Sequence, residues 1–540
     1  MSPFGERQRM PKAAWWAVCL AVLTGLAFAL AWVSSGYTSL TGWFPFLVVV
    51  VAGAGMLWVG WWLVRKETPP GWLGGLLIAA ALLRLGVGVI WFSGLPVWGY
   101  GSPAELNGYV MSDAYDRDRS AWDLSQSEKP LVKAFQGGYR RYDQYGGLLF
   151  MSAAVYRFLP GETHPPLLIV TLTAAFSSLA ILFTWAFARR AWNSEAAAIA
   201  AWLLVFYPEA VLIGSSQMRE AFTISLAAAA FYGLLLYLQE RSWSGLVWVL
   251  AALLLCLPFS PPFAGLLLLM LVILAIAAAP DVILGQLRGQ PRLWVVLALL
   301  AVLVLAGLWF TWGNFAPEGV SNPFELVSWW VKKSADWQAY LSERASGWVQ
   351  KIFDSTPEWT HAPMLLVYGI VQPFLPAALS DATGALIWRA IAVWRAVGWT
   401  LLLVFLIYAP LRALRRVDVR GEDGIENIRL VLGISLVVWL GILVASYRGG
   451  GDQWDNPRYR EAFAVLQVAL AAWALAAQRV RHDPWLRRAL VGAVLILAWF
   501  LPWYLRRYIY LPWEVVDLFK TLGLGIATAV LYWVWDWARG

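Results

Sequence analysis

The chain has 540 residues, of which 60% are hydrophobic and 14% are charged, and its formal net charge is +8. A mean hydropathy of +0.61 excludes an ordinary water-soluble domain. Apolar runs of roughly 20 residues, the length that crosses a bilayer core, recur from end to end and predict an all-α polytopic membrane protein. The basic charge requires no nucleic acid, because short cytoplasmic loops of membrane proteins are enriched in Lys and Arg.

About 14 candidate spans, or 12 to 14 when boundary error is allowed for, follow one another along the chain. The first is too long for a removable signal peptide, and no small-residue cleavage site follows it. The candidates are 13–33, 43–64, 72–95, 166–187, 195–214, 221–238, 245–259, 263–283, 293–312, 390–411, 429–446, 461–478, 489–505 and 519–537.

The basic residues predict the orientation of these spans. If the basic loops lie in the cytoplasm, both termini lie there as well. The membrane is predicted to be the plasma (inner) membrane. Three longer segments, 96–165, 313–389 and 447–460, then lie on the extracytoplasmic side. This threading requires 145–160 to be an interfacial helix, because it is shorter than the roughly 20 residues of a span.

Several acids follow the third apolar run. If a helix starts here, Ser112 is its N-cap, Asp113 lies at the positive end, and Asp116 shares a face with Asp113. A carboxylate that faces water near a membrane surface suits a general base or one ligand of a divalent cation. The alternative is a solvated loop whose acids pair with Arg117 and Arg119. The sequence indicates no other cofactor.

Two further polar clusters fall on the same predicted side. Arg219 and Glu220 stand between two apolar runs, where charge is costly, and form either a structural ion pair or part of a functional site. In 447–460, three glycines and the arginines that include Arg458 and Arg460 are typical of an anion-binding site. Acids beside a phosphate site at an outer membrane surface indicate transfer from a phosphorylated lipid.

The segment 361–381 is too broken by proline to span, and we interpret it as re-entrant and lining a cavity. His361 and Gln372 are therefore candidate substrate-binding residues. The three histidines of the chain are too scattered to indicate a metal site by spacing. Whether the protein holds a metal ion is left open by the sequence.

In the order and sidedness of its motifs, the chain resembles the GT-C superfamily of polyprenyl-phosphate-dependent glycosyltransferases, especially the protein O-mannosyltransferase and aminoarabinose-transferase branch. The resemblance covers roughly 72–240 and 456–460. Two spans precede the one that matches the family's first helix, and the first loop lacks the family's paired acids, which leaves Asp116 as a rival base. The matching motifs are Ser112-Asp113-Ala114-Tyr115, Tyr145 to Leu159, Ala188 to Asn193, Tyr207-Pro208, Ser216 to Glu220, and Asn456 to Arg460.

The resemblance implies inverting transfer of a sugar from a polyprenyl-phosphate donor to a glycan, lipid or protein acceptor outside the cytoplasm. Asp113 would be the general base, and Glu220 would orient Arg219 or a sugar hydroxyl. The residues that would bind the donor phosphate are Arg219, Arg458, Tyr459 and Arg460. Alternatives from other classes are an O-antigen-type polymerase or ligase and a lipid-linked saccharide transporter.

With that resemblance, the chain divides into four regions. Residues 1–71 form two additional transmembrane helices, and 72–312 form a GT-C-like core that includes the outer loop 96–165. Residues 313–389 form an extracytoplasmic amphipathic or re-entrant segment. Residues 390–540 form the C-terminal transmembrane helices with the outer loop 447–460.

Overall fold

A computed structural model of the protein describes residues 12–280 except 160 and 162, together with 356–373, 384–415, 427–449, 456–480, 483–509 and 517–539. It also describes scattered positions between 295 and 354 and at 375, 378 and 512. Most of the predicted span 293–312 and most of segment 313–355 lie outside the described residues.

Throughout the described ranges the regular structure is helical, which confirms the predicted all-α fold. The helices of the N-terminal half are α1 Lys12–Ser34, α2 Trp43–Val64, α3 Gly71–Trp98, α4 Pro103–Leu106, α5 Ser112–Gln126, α6 Gly147–Phe158, α7 Leu167–Ala191, α8 Ser194–Phe206, α9 Pro208–Gly214, α10 Glu220–Glu240, α11 Trp243–Cys256 and α12 Pro261–Ala278.

The described helices after residue 280 are α13 His361–Val371, α14 Leu386–Arg415, α15 Ile428–Gly449, α16 Ala464–Val480, α17 Pro484–Ile509 and α18 Leu518–Arg539. A 3₁₀ helix, Asn456–Phe463, leads directly into α16. Ten helices in the described part of the chain are long and apolar enough to cross a membrane, or eleven if α8 and α9 count as one bent span. The protein is therefore a multi-pass membrane protein.

The centre of the bundle is formed by α7 and α10. In their most apolar stretches 94% and 89% of the residues are buried, against 17% in α1. Small residues allow this close packing, as in the run Ala227 to Ala230 of α10. α1 therefore lies at the edge of the bundle, beside α2, and faces lipid.

The predicted span 195–214 is bent by 57° between α8 and α9. The break falls at Tyr207-Pro208, because proline lacks the N–H of a helical hydrogen bond and its ring clashes with the preceding turn. Pro208 instead starts α9, where its missing N–H costs nothing.

Ion pairs show which loops share one end of the bundle. Arg190, at the end of α7, contacts Glu67 after α2 and Glu240 at the end of α10. Arg479 near the end of α16 pairs with Glu195 at the start of α8, with 3.0 Å between Nη1 and Oε1. α5, α6 and the start of the 3₁₀ helix lie at the opposite end. These contacts show which helix ends lie on the same side of the bundle, and the orientation of that bundle in the membrane stays a prediction.

Candidate functional site

The first element of the site is α5. It begins one residue earlier than predicted, because Met111 is the cap and Ser112 is the first helical residue. Met111 is extended and 3% exposed, so its apolar side chain anchors the start of the helix in the core. Asp113 remains in the first turn, where the positive end of the helix favours a carboxylate.

Asp113 forms an ion pair with Arg458, which lies in the 3₁₀ helix before α16. The distance from Arg458 Nη2 to Asp113 Oδ2 is 2.9 Å, and the side chains are 11% and 52% exposed. Partial burial tends to raise the pKa of Asp113, but the Arg458 guanidinium, with Arg117 and Arg219 nearby, holds that pKa below its usual range. Asp113 is therefore an ionised carboxylate that water and a substrate can reach.

A second layer of charge lies behind this pair. Arg117 is buried, and its Nη1 donates to the backbone carbonyl of Gln217 at 2.9 Å. Asp143 lies between two arginines, with Oδ2 4.0 Å from Nε of Arg117 and Oδ1 3.8 Å from Nη1 of Arg219. The guanidinium of Arg219 also lies over the ring of Tyr145, 4.9 Å from its centroid. Arg219 thus connects the layer to the start of α10.

Asp143 is held by the start of α6. Its Oδ2 accepts a hydrogen bond from the Leu149 amide at 3.0 Å, and the turn between them requires Gly146 at φ +82°. A Cβ at Gly146 would lie 2.6 Å from the Ala134 carbonyl oxygen, so the backbone passes too close for a side chain. Neither Asp143 nor Arg117 was predicted as a site residue, because in the sequence each is only a charged residue near an apolar segment.

The third acid of α5, Asp118, is not available to a substrate, since it is 1% exposed. It accepts hydrogen bonds from Tyr109 at 2.6 Å, Tyr156 at 2.8 Å and the Gln217 amide at 3.2 Å. Burial and the Asp118 charge raise the pKa of both tyrosines well above the ordinary value. Both therefore stay protonated and donate, so Asp118 joins α5 to α6 and to the chain before α10.

The rival acid, Asp116, is exposed on α5, one turn after Asp113. Its backbone carbonyl accepts from the Ser120 hydroxyl at 2.8 Å. Glu220 is the first residue of α10, and its Oε2 is buried without a hydrogen-bond partner among the described residues. Among those residues no three His, Cys, Asp or Glu side chains come together as a metal site.

Four charged residues form a buried cluster below the Asp113–Arg458 pair. The Arg395 Nε donates to Glu209 Oε1 at 2.8 Å, and both side chains are almost fully buried. The Tyr207 hydroxyl donates to Glu461 Oε1 at 3.0 Å. Arg460 stacks on Trp399, with 3.3 Å from its Cζ to the ring centroid. The cluster joins the bent span to α14 and to the 3₁₀ helix that precedes α16.

This cluster contains two of the predicted site residues. Arg460, predicted to bind phosphate, is 2% exposed and donates to the backbone carbonyl of Gln372 at 2.5 Å. Arg460 and Gln372 thus lie beneath the surface, whereas Arg458 and Tyr459 are half-buried, with the Arg458 Cζ 5.3 Å from the Tyr459 ring centroid. His361 starts α13, and its Nε2 lies 3.1 Å from the Thr356 carbonyl oxygen.

Neither models of protein families nor curated proteins give a match to this chain. Among solved structures it is similar to the archaeal oligosaccharyltransferase AglB from Archaeoglobus fulgidus, in complex with an inhibitory peptide and a dolichol-phosphate, at 15% identity and a TM-score of 0.40. The apo form of the Archaeoglobus fulgidus oligosaccharyltransferase gives 16% identity and a TM-score of 0.42. Both comparisons cover 86% of this chain and 56% of the other.

This chain therefore spans little more than half the length of the solved proteins it matches. At such identities and TM-scores, the likeness by itself assigns neither a reaction nor a ligand to this chain. A functional argument has to start from the residues of the site.

Proposed function

We propose that the protein is a membrane glycosyltransferase that transfers a sugar from a polyprenyl-phosphate donor to an acceptor on the extracytoplasmic side. The observation that carries this proposal is the Asp113–Arg458 ion pair at 2.9 Å. It joins a reachable carboxylate and a forked cation at one end of a bundle of apolar helices. The sequence resemblance to the GT-C superfamily supports the same reaction.

In the proposed reaction Asp113 accepts the proton of the acceptor hydroxyl. The acceptor oxygen forms a bond to the anomeric carbon from the face opposite the leaving group, and the bond from that carbon to the phosphate oxygen breaks. The configuration inverts, and the electron pair leaves with the lipid phosphate. Arg458 and Arg219 stabilise the charge that develops on that phosphate.

The ion pair suggests how donor binding and base strength are linked. While Arg458 holds Asp113, the lowered pKa makes the carboxylate a weak base. A donor phosphate competes with Asp113 for the Arg458 guanidinium, because both are anions that suit its fork. Drawing Arg458 onto the phosphate removes the main influence that lowers the pKa of Asp113. The base thus gains strength when the donor is in place.

The remaining predicted residues have different positions in this scheme. Tyr459 supports Arg458 through its ring, and the half-buried Glu220, the first residue of α10, would orient Arg219 or a sugar hydroxyl. Arg460 acts from below by holding the 3₁₀ helix against Gln372. Substrate binding by His361 and Gln372 remains a prediction from the sequence. If the reaction uses a divalent cation, Asp113 and Asp116 are the carboxylates of α5 that would bind it.

The test uses the full-length protein in vesicles with a polyprenyl phosphate that carries a radiolabelled sugar. We expect release of free polyprenyl phosphate and incorporation of label into one of three offered acceptor classes, a glycan, a lipid or a peptide. Asp113→Asn should abolish both signals while the protein remains inserted. Absence of a new glycosidic bond with every acceptor would contradict the proposal.

One observation favours a second function, transport of a lipid-linked saccharide. The bent span formed by α8 and α9 carries the buried Glu209, and broken helices with ionisable residues are typical of transporter binding sites. Glu209 is, however, already paired with Arg395. In the same vesicles, movement of labelled donor across the bilayer without bond formation would favour this alternative.

A further inference from the structure

A groove separate from the Asp113–Arg458 pair opens at the same end of the bundle. It encloses about 780 Å³, within the range of about 300–1,000 Å³ that small-molecule sites occupy. Its walls come from the end of α1 and the turn after it, the end of α3, the loop before α5, one face of α5, and the chain that leads into α7.

Helix α5 separates the groove from the proposed catalytic residues. Successive helical residues are rotated by about 100°, so Tyr115, Arg119 and Trp122 lie on the side of α5 opposite Asp113 and Arg117. Tyr115, Arg119 and Trp122 line the groove. On the other side, Asp113 contacts Arg458 and Arg117 contacts the backbone of Gln217. A molecule in the groove therefore lies within one helix diameter of Asp113 without occupying the same space.

Aromatic rings with polar edges dominate the groove. Tyr37, Tyr109, Tyr115 and Trp122 each combine a flat apolar face with a hydrogen-bonding group. The Trp122 ring is held in place by Tyr156, with 5.5 Å between ring centroids, and by His164, with 5.2 Å. The groove thus offers preordered flat surfaces at low cost in side-chain entropy.

The polar side chains between these rings carry almost no net charge. Arg119 and Asp123 balance each other, Asn107 adds an amide, and the His164 Nε2 lies 3.0 Å from the buried Asp118 Oδ2. Such a set donates and accepts hydrogen bonds but has no concentrated positive charge for a phosphate. Long aliphatic side chains are few, so the lining also does not favour an acyl chain. A neutral, hydroxyl-rich molecule with flat C–H faces fits both properties.

The rim of the groove contains a strained residue. Tyr37 has φ +65°, a conformation that aromatic residues rarely adopt, and its side chain is 52% exposed. Its hydroxyl lies 3.3 Å from the Ser93 hydroxyl of α3, across the groove. Strained backbone conformations cluster at ligand-binding sites, which makes Tyr37 the first residue of the groove to test for ligand contact.

We propose that this groove is a carbohydrate-binding site, in which Tyr37, Tyr115 and Trp122 stack on sugar rings and Asn107, Arg119 and Asp123 bind their hydroxyl groups. Tyr37 follows α1, one of the two helices that precede the GT-C-like core, so this additional helix supplies part of the binding site. Two sources share this chemistry, the glycan of the acceptor and the glycan of the donor. The distinction between acceptor glycan and donor glycan rests on the proposed function. Binding of a glycan in the groove does not depend on that function.

The test measures binding of full-length protein in detergent to an array of neutral and acidic oligosaccharides built from hexoses and N-acetylhexosamines. We expect wild-type protein to bind at least one glycan class. Tyr37→Asn removes the ring but tolerates a positive φ, and Arg119→Gln removes one hydrogen-bonding fork. Each should weaken binding about tenfold, the effect of about 1.4 kcal/mol.

Matched controls replace exposed residues of the same types outside the groove. Tyr142→Asn and Arg140→Gln should bind as wild type, and so should Asp113→Asn, which affects only the reaction. Absence of binding to every glycan, or equal weakening in the control and groove variants, would overturn the carbohydrate site. Transfer activity without glycan binding would also overturn it while leaving the proposed function intact.

Steady-state kinetics separate the two sources. If the groove binds the acceptor, Tyr37→Asn raises the KM for the acceptor and leaves the KM for the donor unchanged. If it binds the donor glycan, Tyr37→Asn raises the KM for the donor and leaves the KM for the acceptor unchanged. Free polyprenyl phosphate without sugar then does not compete for the groove. Glycan binding in a protein that shows no transfer with any acceptor would support the groove and contradict the proposed function.

Discussion

Asp113 and Arg458 are 345 positions apart in the chain, yet 2.9 Å separates the Asp113 Oδ2 from the Arg458 Nη2. The pair joins the first turn of α5 to the 3₁₀ helix that starts α16. Asp113 is half exposed and Arg458 is largely buried, so water can solvate the carboxylate when a donor phosphate takes its place on the guanidinium. Removing Asp113 and removing Arg458 are therefore expected to have different effects, the first on the rate of sugar transfer and the second on the pH dependence of that rate.

Asp113→Asn should reduce sugar transfer by at least about 100-fold, the lower end of the effect of losing a general base. Folding and insertion should be normal, because the amide is isosteric and water reaches the site. Transfer of labelled sugar in vesicles measures the effect, and Glu128→Gln, an exposed acid of the same outer segment, is the control. If Asp116→Asn loses activity while Asp113→Asn retains it, Asp116 is the base.

Arg458→Met should move the acid limb of the pH–rate profile to higher pH. In wild-type protein the folded-state pKa of Asp113 lies below its unfolded value, so the pair stabilises the fold above the unfolded pKa and this contribution is lost as pH falls through the folded pKa. Without Arg458, the pKa of Asp113 rises. The measurement is kcat/KM normalised to its maximum, because its pH dependence reports the free enzyme. An unchanged acid limb would show that Arg458 does not control Asp113.

Arg458→Lys should weaken binding of a polyprenyl phosphate by about 1–3 kcal/mol, because lysine keeps the charge but loses the bidentate fork. Affinity in detergent measures this effect beside single-turnover transfer. Arg219→Lys should impair turnover more than affinity if Arg219 meets charge that develops only in the transition state. Unchanged affinity in Arg458→Ala would remove the phosphate role from this residue.

Glu209→Gln should destabilise the protein by about 3–5 kcal/mol, because it leaves the Arg395 charge buried without its ionic partner. The double variant Glu209→Gln/Arg395→Met should recover much of this loss, since it removes both charges. Chemical denaturation in detergent measures both effects. Glu195→Gln, whose partner Arg479 is exposed, is the matched control and should change stability by less than about 1 kcal/mol. Equal destabilisation by both single variants would contradict the buried pair.

Much of the fold was predictable because the bilayer imposes a strong local rule. Segments such as α7 and α10 have to satisfy their backbone polar groups within one helix, so an apolar run of sufficient length already implies a span. The position of Asp113 just outside the third span followed from the same rule. The break at Tyr207-Pro208 had a local signal as well, in the proline, but the 57° bend depends on how α9 packs.

The charged residues separate what the sequence determined by itself from what tertiary structure decided. Composition and apolar periodicity determined a helical membrane protein with acids and arginines at one end. They did not distinguish Asp113 from Asp118 or Arg458 from Arg460, which are close in sequence and of the same type. Only packing decides that one of each pair reaches the surface and the other is buried, because burial depends on neighbours contributed by distant helices.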